Sequence, residues 1–259
     1  MVLPLKKPII KCKIIHRILV TNSRMGTRKL TLIAILGALY AAGSMIGLGF
    51  PLLGMPGSRI DVVRSLEMGY GIILGPTLGP ITAFIGALVG KIISGGGFGL
   101  WFTPLAPLTA FVAASLSSNR IYGVKGWIVS TVALAVLIIG WYLSPIGRKA
   151  LYYPVLHLIA LTIILFFRGK ISEYINSEER SKISVGIALT SYTSTMTGHM
   201  LGNLIFMALV PTDHLFFISI LPVTALERIV MTILSIAIMT PLTILIRDAF
   251  PELSSTLQA

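Results

Sequence analysis

Three polar side chains recur at helical spacing inside a long apolar stretch of the C-terminal third of the chain. Thr195, His199 and Asn203 are four residues apart, so on a helix they share one face, with Tyr192 close to it. Ionisable and amide groups are expensive to keep at membrane depth and often mark functional sites there. Two interpretations are open: the face binds a small polar ligand, or it makes hydrogen bonds that join neighbouring helices.

A charged pair, Glu227-Arg228, follows in the next apolar stretch. Adjacent residues point in different directions on a helix, so we expect these two to find partners on other helices rather than to neutralise each other. The candidate partners are Arg64, Glu67 and Lys91. A buried ion pair and a substrate contact are both consistent with the pattern.

Two residues of the predicted outer loops complete the candidate substrate site. Arg59 ends a loop rich in proline and glycine, and Trp101 ends the run Ser94-Gly-Gly-Gly-Phe-Gly-Leu-Trp101. An indole at this position either anchors in the membrane interface or stacks on a ligand. The predicted substrate-binding set is Tyr192, Thr195, His199, Asn203, Arg59, Trp101, Glu227 and Arg228.

Catalytic and metal-binding templates are missing from the sequence. It contains no Walker A, HExxH or GxSxG pattern, and its one cysteine, Cys12, excludes an internal disulfide. His199, Asp213 and His214 do not have a spacing that is specific for a metal site. We therefore expect no enzymatic activity, no metal and no cofactor; a membrane-embedded enzyme is the least supported alternative.

The composition indicates a membrane protein. The chain is 55% hydrophobic and 12% charged, and its mean hydropathy is +0.90, which is typical of a polytopic membrane protein. The net charge of +12 does not indicate nucleic-acid binding, because eight of the 21 basic residues lie in the first 29 positions. Such a cluster is typical of a cytoplasmic flank that contacts anionic lipid headgroups.

Eight hydrophobic stretches predict an all-α fold with about eight transmembrane helices. They cover residues 30–50, 60–75, 77–94, 101–118, 126–144, 151–168, 183–210 and 222–246. The second and third are joined by Gly75-Pro76 and Gly79-Pro80, which predict a close helical hairpin.

The distribution of lysine and arginine predicts the orientation. Even-numbered loops carry most of the basic residues, including those of the segment 168–182, which we expect to be a solvated cytoplasmic loop. Both termini are then cytoplasmic, in a multi-pass protein of the cell membrane. We expect a basic N-terminal extension over residues 1–25, one transmembrane domain over 26–250 and a cytoplasmic tail over 251–259.

The first stretch carries a stripe of small side chains. Ala34, Ala38 and Ala42 recur at every fourth position, so they form one line along a helix. In lipid, helices associate where small residues let their backbones approach closely. The stripe is therefore predicted to pack against another helix, either within this bundle or in a different protein.

Several of these features together resemble the substrate-binding S components of energy-coupling factor (ECF) transporters. The resemblance rests on Ala34-x-x-x-Ala38, on the turn from Gly75-Pro76 to Gly79, and on Glu227-Arg228; the small residues Ala83, Gly86 and Gly90 of the third span fit as well. It covers roughly residues 26–247. In that family a transmembrane coupling subunit docks on the alanine motif, which implies this role for Ala34, Ala38 and Ala42. The family core has six spans, so residues 126–168 would be an inserted hairpin.

The resemblance implies a function in uptake. The chain would be the high-affinity substrate-capture subunit for a vitamin-like small molecule, working with a coupling subunit and ABC-type ATPase subunits in the lipid bilayer. The alternative is a self-sufficient, proton-coupled secondary transporter in which His199, Glu227 or Glu67 relays protons.

Overall fold

The computed structural model describes residue 27 and residues 30–45, 49–51 and 59–249, and helices dominate the described part of the chain. The helices are α1 (Leu30–Met45), α2 (Glu67–Ile93), α3 (Leu105–Ser117), α4 (Gly126–Leu143), α5 (Val155–Phe167), α6 (Lys170–Ile175), α7 (Arg180–Leu209) and α8 (His214–Ala249). Short 3-10 helices cover Val62–Leu66 and Gly97–Phe102. Two small antiparallel pairs join β1 (Gly49–Pro51) to β2 (Arg59–Asp61) and β3 (Arg120–Ile121) to β4 (Val124–Lys125). The predicted extension 1–25 and tail 251–259 lie outside the described residues.

The chain is an all-α protein with apolar helices of membrane-spanning length. Within the described residues, four helical stretches are long and apolar enough to cross a membrane: Val63–Ile93, Gly97–Ser117, Gly126–Leu143 and His214–Ala249. Two shorter apolar helices, Leu30–Met45 and Val155–Phe167, accompany them. The number of eight spans therefore stays a prediction.

The first of the four stretches does not run straight. Gly75 has φ 79° and ψ −173°, a conformation that interrupts the helix and that glycine adopts without a steric penalty. The Tyr40 hydroxyl bonds Glu67, and the Cβ of Tyr40 lies 2.8 Å from where a Cβ on Gly86 would be. Glu67 and Gly86 would be about 28 Å apart in a straight helix, so one tyrosine could not reach both. Residues 67–74 and 76–93 therefore fold back on each other, as the two Gly-Pro pairs predict.

Helix α1 packs against the second arm of this hairpin. Its buried side chains are Leu36, Tyr40, Ala41 and Ser44. A Cβ at Gly86 would lie 2.8 Å from the Cβ of Tyr40, and one at Gly90 would lie 2.9 Å from the Cβ of Ser44. Glycine at these two positions lets the helices approach closely.

Helix α7 is the centre of the bundle, since α3, α4, α5, α6 and α8 all pack against it. It is long and rich in serine and threonine, and most of the hydroxyls bond the helix's own backbone: Thr193, Ser194 and Thr195 donate to carbonyls three or four residues earlier. Its polar groups are thus largely satisfied inside the bundle, which lets a polar helix be buried there.

The predicted solvated loop 168–182 contains α6, a helix that the loop prediction missed. Ile171 and Ile175 are buried one turn apart, and the Ser172 hydroxyl donates to the Ser117 carbonyl at 2.9 Å. Arg247, near the end of α8, donates to the Ser177 carbonyl at 3.2 Å. The charged side chains of the segment face solvent, but its backbone ties α3, α7 and α8 together.

Basic residues collect at one end of the bundle, which we name the basic end. The turn of the α2 hairpin meets the β3–β4 turn there, where the Thr77 and Tyr122 hydroxyls are 2.8 Å apart. Helix α6 and the C-terminal end of α8 also lie at this end. Their basic residues are Arg120, Lys125, Arg168, Lys170, Arg180, Lys182 and Arg247. This sorting agrees with the charge pattern from which the orientation was predicted.

Candidate functional site

The predicted polar face of α7 lies inside the bundle, in the half away from the basic end. Asn203 is six residues before the last residue of α7, about 9 Å along the axis, and Thr195 lies about 12 Å deeper. Thr195 and Asn203 are buried, and His199 is partly buried. The hydroxyl of Thr195 bonds the Ser191 carbonyl at 2.7 Å, so its backbone carbonyl rather than its hydroxyl is available to other elements.

His199 pairs with a histidine from another helix. Nε2 of His157, in the first turn of α5, lies 3.2 Å from Nδ1 of His199, and the two rings stack with centroids 5.4 Å apart. Nδ2 of Asn203 is 3.3 Å from the same Nδ1. An amide nitrogen can only donate, so Nδ1 of His199 accepts, and Nε2 of His157 then donates to it as well. His157 is not in the predicted site, because its partner is on a different helix.

The charged pair of α8 is buried beside this face. Glu227 and Arg228 are 3% and 5% exposed, and they bond each other through Oε1 of Glu227 and NH2 of Arg228. The expectation that neighbours on a helix do not pair is therefore wrong here: the long guanidinium side chain turns back to the carboxylate. NH1 of Arg228 also donates to the Thr195 carbonyl at 3.4 Å, one turn from His199.

A second charged pair approaches from the hairpin. Oε1 of Glu67 accepts from the Tyr40 hydroxyl at 2.7 Å and from Nε of Arg64 at 3.2 Å. Glu227 lies close enough to act electrostatically on Arg64, and a direct contact of the α8 pair with the hairpin stays a prediction. The two arginines and two glutamates carry no net formal charge together, so each buried charge has a counter-charge nearby.

Buried aromatic rings close the cluster toward the end opposite the basic end. Trp141, Tyr153 and Phe217 pack with ring centroids 4.6 to 5.3 Å apart, and all three are almost fully buried. The ring of Tyr153 lies 6.0 Å from that of His157, so the aromatic group continues into the histidine pair. Trp141 and Tyr153 are further residues that sequence reasoning missed; the only signal was aromatic composition, which does not distinguish a buried ring from an exposed one.

Three polar atoms of this cluster are buried without a hydrogen bond to any residue that the structure describes. They are Nε of Arg228, Nδ1 of His157 and the hydroxyl of Tyr153. The hydroxyl lies beside Asn203 and Thr224, but it meets the geometry of a hydrogen bond with neither. Buried polar groups are nearly always paired in native proteins, and an unpaired one costs about 1–3 kcal/mol. All three belong to side chains of the cluster, and each could accept or donate one more hydrogen bond.

Other predicted site residues lie apart from the cluster or beside it. The Tyr192 hydroxyl donates to the Leu156 carbonyl at 3.1 Å and joins α7 to α5 next to the histidine pair. Trp101 is 61% exposed and does not join the buried rings. Arg59 belongs to β2, but its side chain lies outside what the structure describes.

The alanine stripe is on the outside of the bundle. Ala34, Ala38 and Ala42 are all exposed, whereas Leu36 and Tyr40 on the opposite face of α1 are buried against the hairpin. The stripe therefore does not pack against any of the helices that the structure describes.

Among the described residues, no group of three or more histidine, cysteine, aspartate or glutamate side chains could hold a metal ion.

Comparison with known proteins shows a similarity to an archaeal protein. The chain is 32% identical over 178 residues to an uncharacterized protein of Methanocaldococcus jannaschii; the matched segment is 68% of this chain and 58% of that protein. The chain thus spans little more than half the length of this relative. No protein-family model matches the chain, and no solved structure matches it.

Proposed function

We propose that this chain is the membrane-embedded substrate-capture subunit of an ECF-type transporter and takes up a vitamin-like small molecule. The observation that carries the proposal is the buried cluster of α5, α7 and α8, with balanced charges and three unpaired polar atoms. Such a group is expensive to bury and is retained where it binds something. With the basic end in the cytoplasm, the cluster lies in the half of the bundle nearer the outside, the side from which an uptake protein receives its substrate.

The surface of α1 supports a partnership with other subunits. The alanine stripe is exposed, and a row of methyl-sized side chains lets a second helix approach closely. We propose that a transmembrane coupling subunit docks on Ala34, Ala38 and Ala42 and connects the chain to ABC-type ATPase subunits. Both termini then lie in the cytoplasm, and the protein resides in the cell membrane.

The decisive experiment separates ligand capture from docking. Ala38→Leu places a larger side chain on the exposed stripe, whereas the α7–α8 cluster is buried inside the bundle. We expect the variant to lose assembly with a co-expressed coupling subunit and its ATPase subunits, while ligand binding by the isolated chain stays unchanged. Val136→Leu, at a 60% exposed position of α4, is the matched control and should assemble normally.

Native mass spectrometry of the purified chain provides the second test. We expect a co-purified small molecule, and its release by substitutions in the cluster. Normal assembly of Ala38→Leu together with loss of ligand binding would overturn the docking role and place the stripe in the binding machinery instead.

The histidine pair favours one alternative. Two imidazoles in hydrogen-bond contact at 3.2 Å inside a membrane bundle can pass a proton between helices. A self-sufficient carrier would use this pair with Glu227 or Glu67. Uptake by the purified chain alone in liposomes, driven by a proton gradient, would favour the proton-coupled carrier. A requirement for the coupling subunit and ATP would favour the ECF-type capture subunit.

A further inference from the structure

We propose that the cluster binds an electrically neutral molecule that presents a hydrogen-bond acceptor and a hydrogen-bond donor side by side, as an amide or lactam edge does. The inference rests on the proposed function in taking the cluster as the capture site, and it names the chemistry of the ligand. Three observations carry it: the charge balance, the identity of the unpaired atoms and the aromatic wall.

The charge balance selects a ligand without net charge. Arg64 and Arg228 are matched by Glu67 and Glu227, and three of these four residues are buried. The described cluster therefore has no spare charge with which to neutralise an anion or a cation. A charged ligand would bring an uncompensated charge into a buried site, which is strongly unfavourable.

The unpaired atoms of Arg228 and His157 require a ligand that offers one hydrogen-bond acceptor and one hydrogen-bond donor. The terminal nitrogens of Arg228 already donate to Glu227 and to the Thr195 carbonyl, which leaves Nε–H in need of an acceptor. His157 donates through Nε2 to His199, so its Nδ1 is the bare nitrogen and needs a donor. An amide carries both groups that these atoms need: a C=O to accept from Nε–H of Arg228 and an N–H to donate to Nδ1 of His157.

The aromatic wall favours a flat molecule. The hydroxyl of Tyr153 is unpaired, and its ring packs between Trp141 and His157 at centroid distances of 4.6 and 6.0 Å. Aromatic side chains favour flat aromatic partners in offset or edge-to-face contact, so a planar ring suits this wall.

Three probes of the same shape test the inference. Benzamide, benzoate and benzamidinium share a phenyl ring and differ in the charge and hydrogen bonds of one planar group. Binding of each to the purified full-length chain in detergent is measured by equilibrium dialysis. We expect benzamide to bind at least about fivefold more tightly than either ion, since each unmade buried hydrogen bond costs about five- to hundredfold in affinity. Equal or tighter binding of an ion, or no binding of benzamide, overturns the inference.

A gain of binding provides a test that misfolding cannot imitate. Glu227→Gln keeps the size of the side chain and leaves one arginine charge unmatched. We expect this variant to bind benzoate at least as tightly as it binds benzamide. If Glu227→Gln still binds benzamide more tightly than benzoate, the charge balance does not select the ligand and the inference is wrong.

Two aromatic variants test the hydrogen bonds. His157→Phe keeps a planar ring and removes the bare nitrogen, and should weaken benzamide binding about five- to hundredfold. Tyr122→Phe removes a hydroxyl at the basic end and is the control, with unchanged binding expected. Equal effects of the two variants would overturn the assignment of Nδ1.

The experiments distinguish an error in the ligand class from an error in the proposed function. If benzoate is preferred by the unaltered chain while uptake still requires the coupling subunit and ATP, the capture function stands and the ligand class is wrong. If benzamide is preferred but a proton gradient alone drives uptake, the ligand class stands and the transporter class is wrong.

Discussion

The glycine turn that folds α2 back on itself provides a sharp test of the architecture. A Cβ on Gly79 would lie 2.5 Å from the Tyr70 carbonyl oxygen and 2.9 Å from Cα of Gly71. Ordinary van der Waals contacts begin at 3.4 Å, so Gly79→Ala forces the two arms apart by about 0.9 Å. The clashing atoms belong to the backbone and cannot rotate away as the end of a side chain could.

The expected loss combines two opposing effects. Overpacking of this kind costs about 1–3 kcal/mol, whereas replacing glycine by alanine inside a helix contributes up to about 1 kcal/mol of stability. We therefore expect Gly79→Ala to lower the free energy of unfolding by about 1–2 kcal/mol. Gly140→Ala in α4 is the matched control, because its new Cβ would meet Leu204 only at 3.5 Å, an ordinary contact. It should be as stable as the unaltered chain or slightly more stable.

Unfolding midpoints in mixed micelles of mild detergent and dodecyl sulfate, followed by circular dichroism, measure this difference. In one straight helix Gly79 would lie about 12 Å from Gly71, and its new methyl group would meet neither residue. Gly79→Ala and Gly140→Ala of equal stability would therefore refute the folded-back arrangement of α2.

Three further predictions concern orientation, binding and the hairpin's buried carboxylate. In a chain whose natural cysteine is replaced, cysteines at Ser177 and Ser219 should react with impermeant reagents from opposite sides of the membrane, with Ser219 reached from outside; reaction from the same side would contradict the orientation. Asn203→Leu should weaken binding of the co-purified molecule about five- to hundredfold with a nearly unchanged melting temperature, whereas lost stability with full affinity would mean that the residue only joins helices. Tyr40→Phe removes a 2.7 Å hydrogen bond to the buried carboxylate at the start of α2 and should cost about 1–3 kcal/mol in a denaturation titration, against less than about 0.5 kcal/mol for the exposed Tyr122→Phe.

Local patterns in the sequence predicted the features that depend on neighbouring residues. The hairpin at Gly75 follows from the backbone preferences of glycine and proline, which act within a few residues. The shared face of Thr195, His199 and Asn203 follows from the helical repeat alone, and the structure places these residues in one cluster. Hydropathy likewise predicted an all-α protein with apolar helices long enough to span a membrane.

Short, weakly patterned segments were harder to predict. Helix α6 has six residues, and its buried Ile171 and Ile175 are surrounded by charged residues, so composition favoured a loop. Packing against α3 and α7 stabilises this helix, because a peptide of this length does not form a helix by itself.

Only the tertiary structure decided which residues meet across helices. His157 and His199 are 42 positions apart, and no local repeat relates them; the packing of α5 on α7 brings their nitrogens to 3.2 Å. The indoles of Trp101 and Trp141 are chemically identical, yet one is 61% exposed and the other is fully buried beside Tyr153. The alanine stripe shows the same division: its spacing determined that Ala34, Ala38 and Ala42 form one line, but the packing of the opposite face of α1 on the hairpin decided that the line faces outward. Helical periodicity acts along one segment, whereas the choice of buried face depends on which segments pack together, and that is a property of the whole bundle.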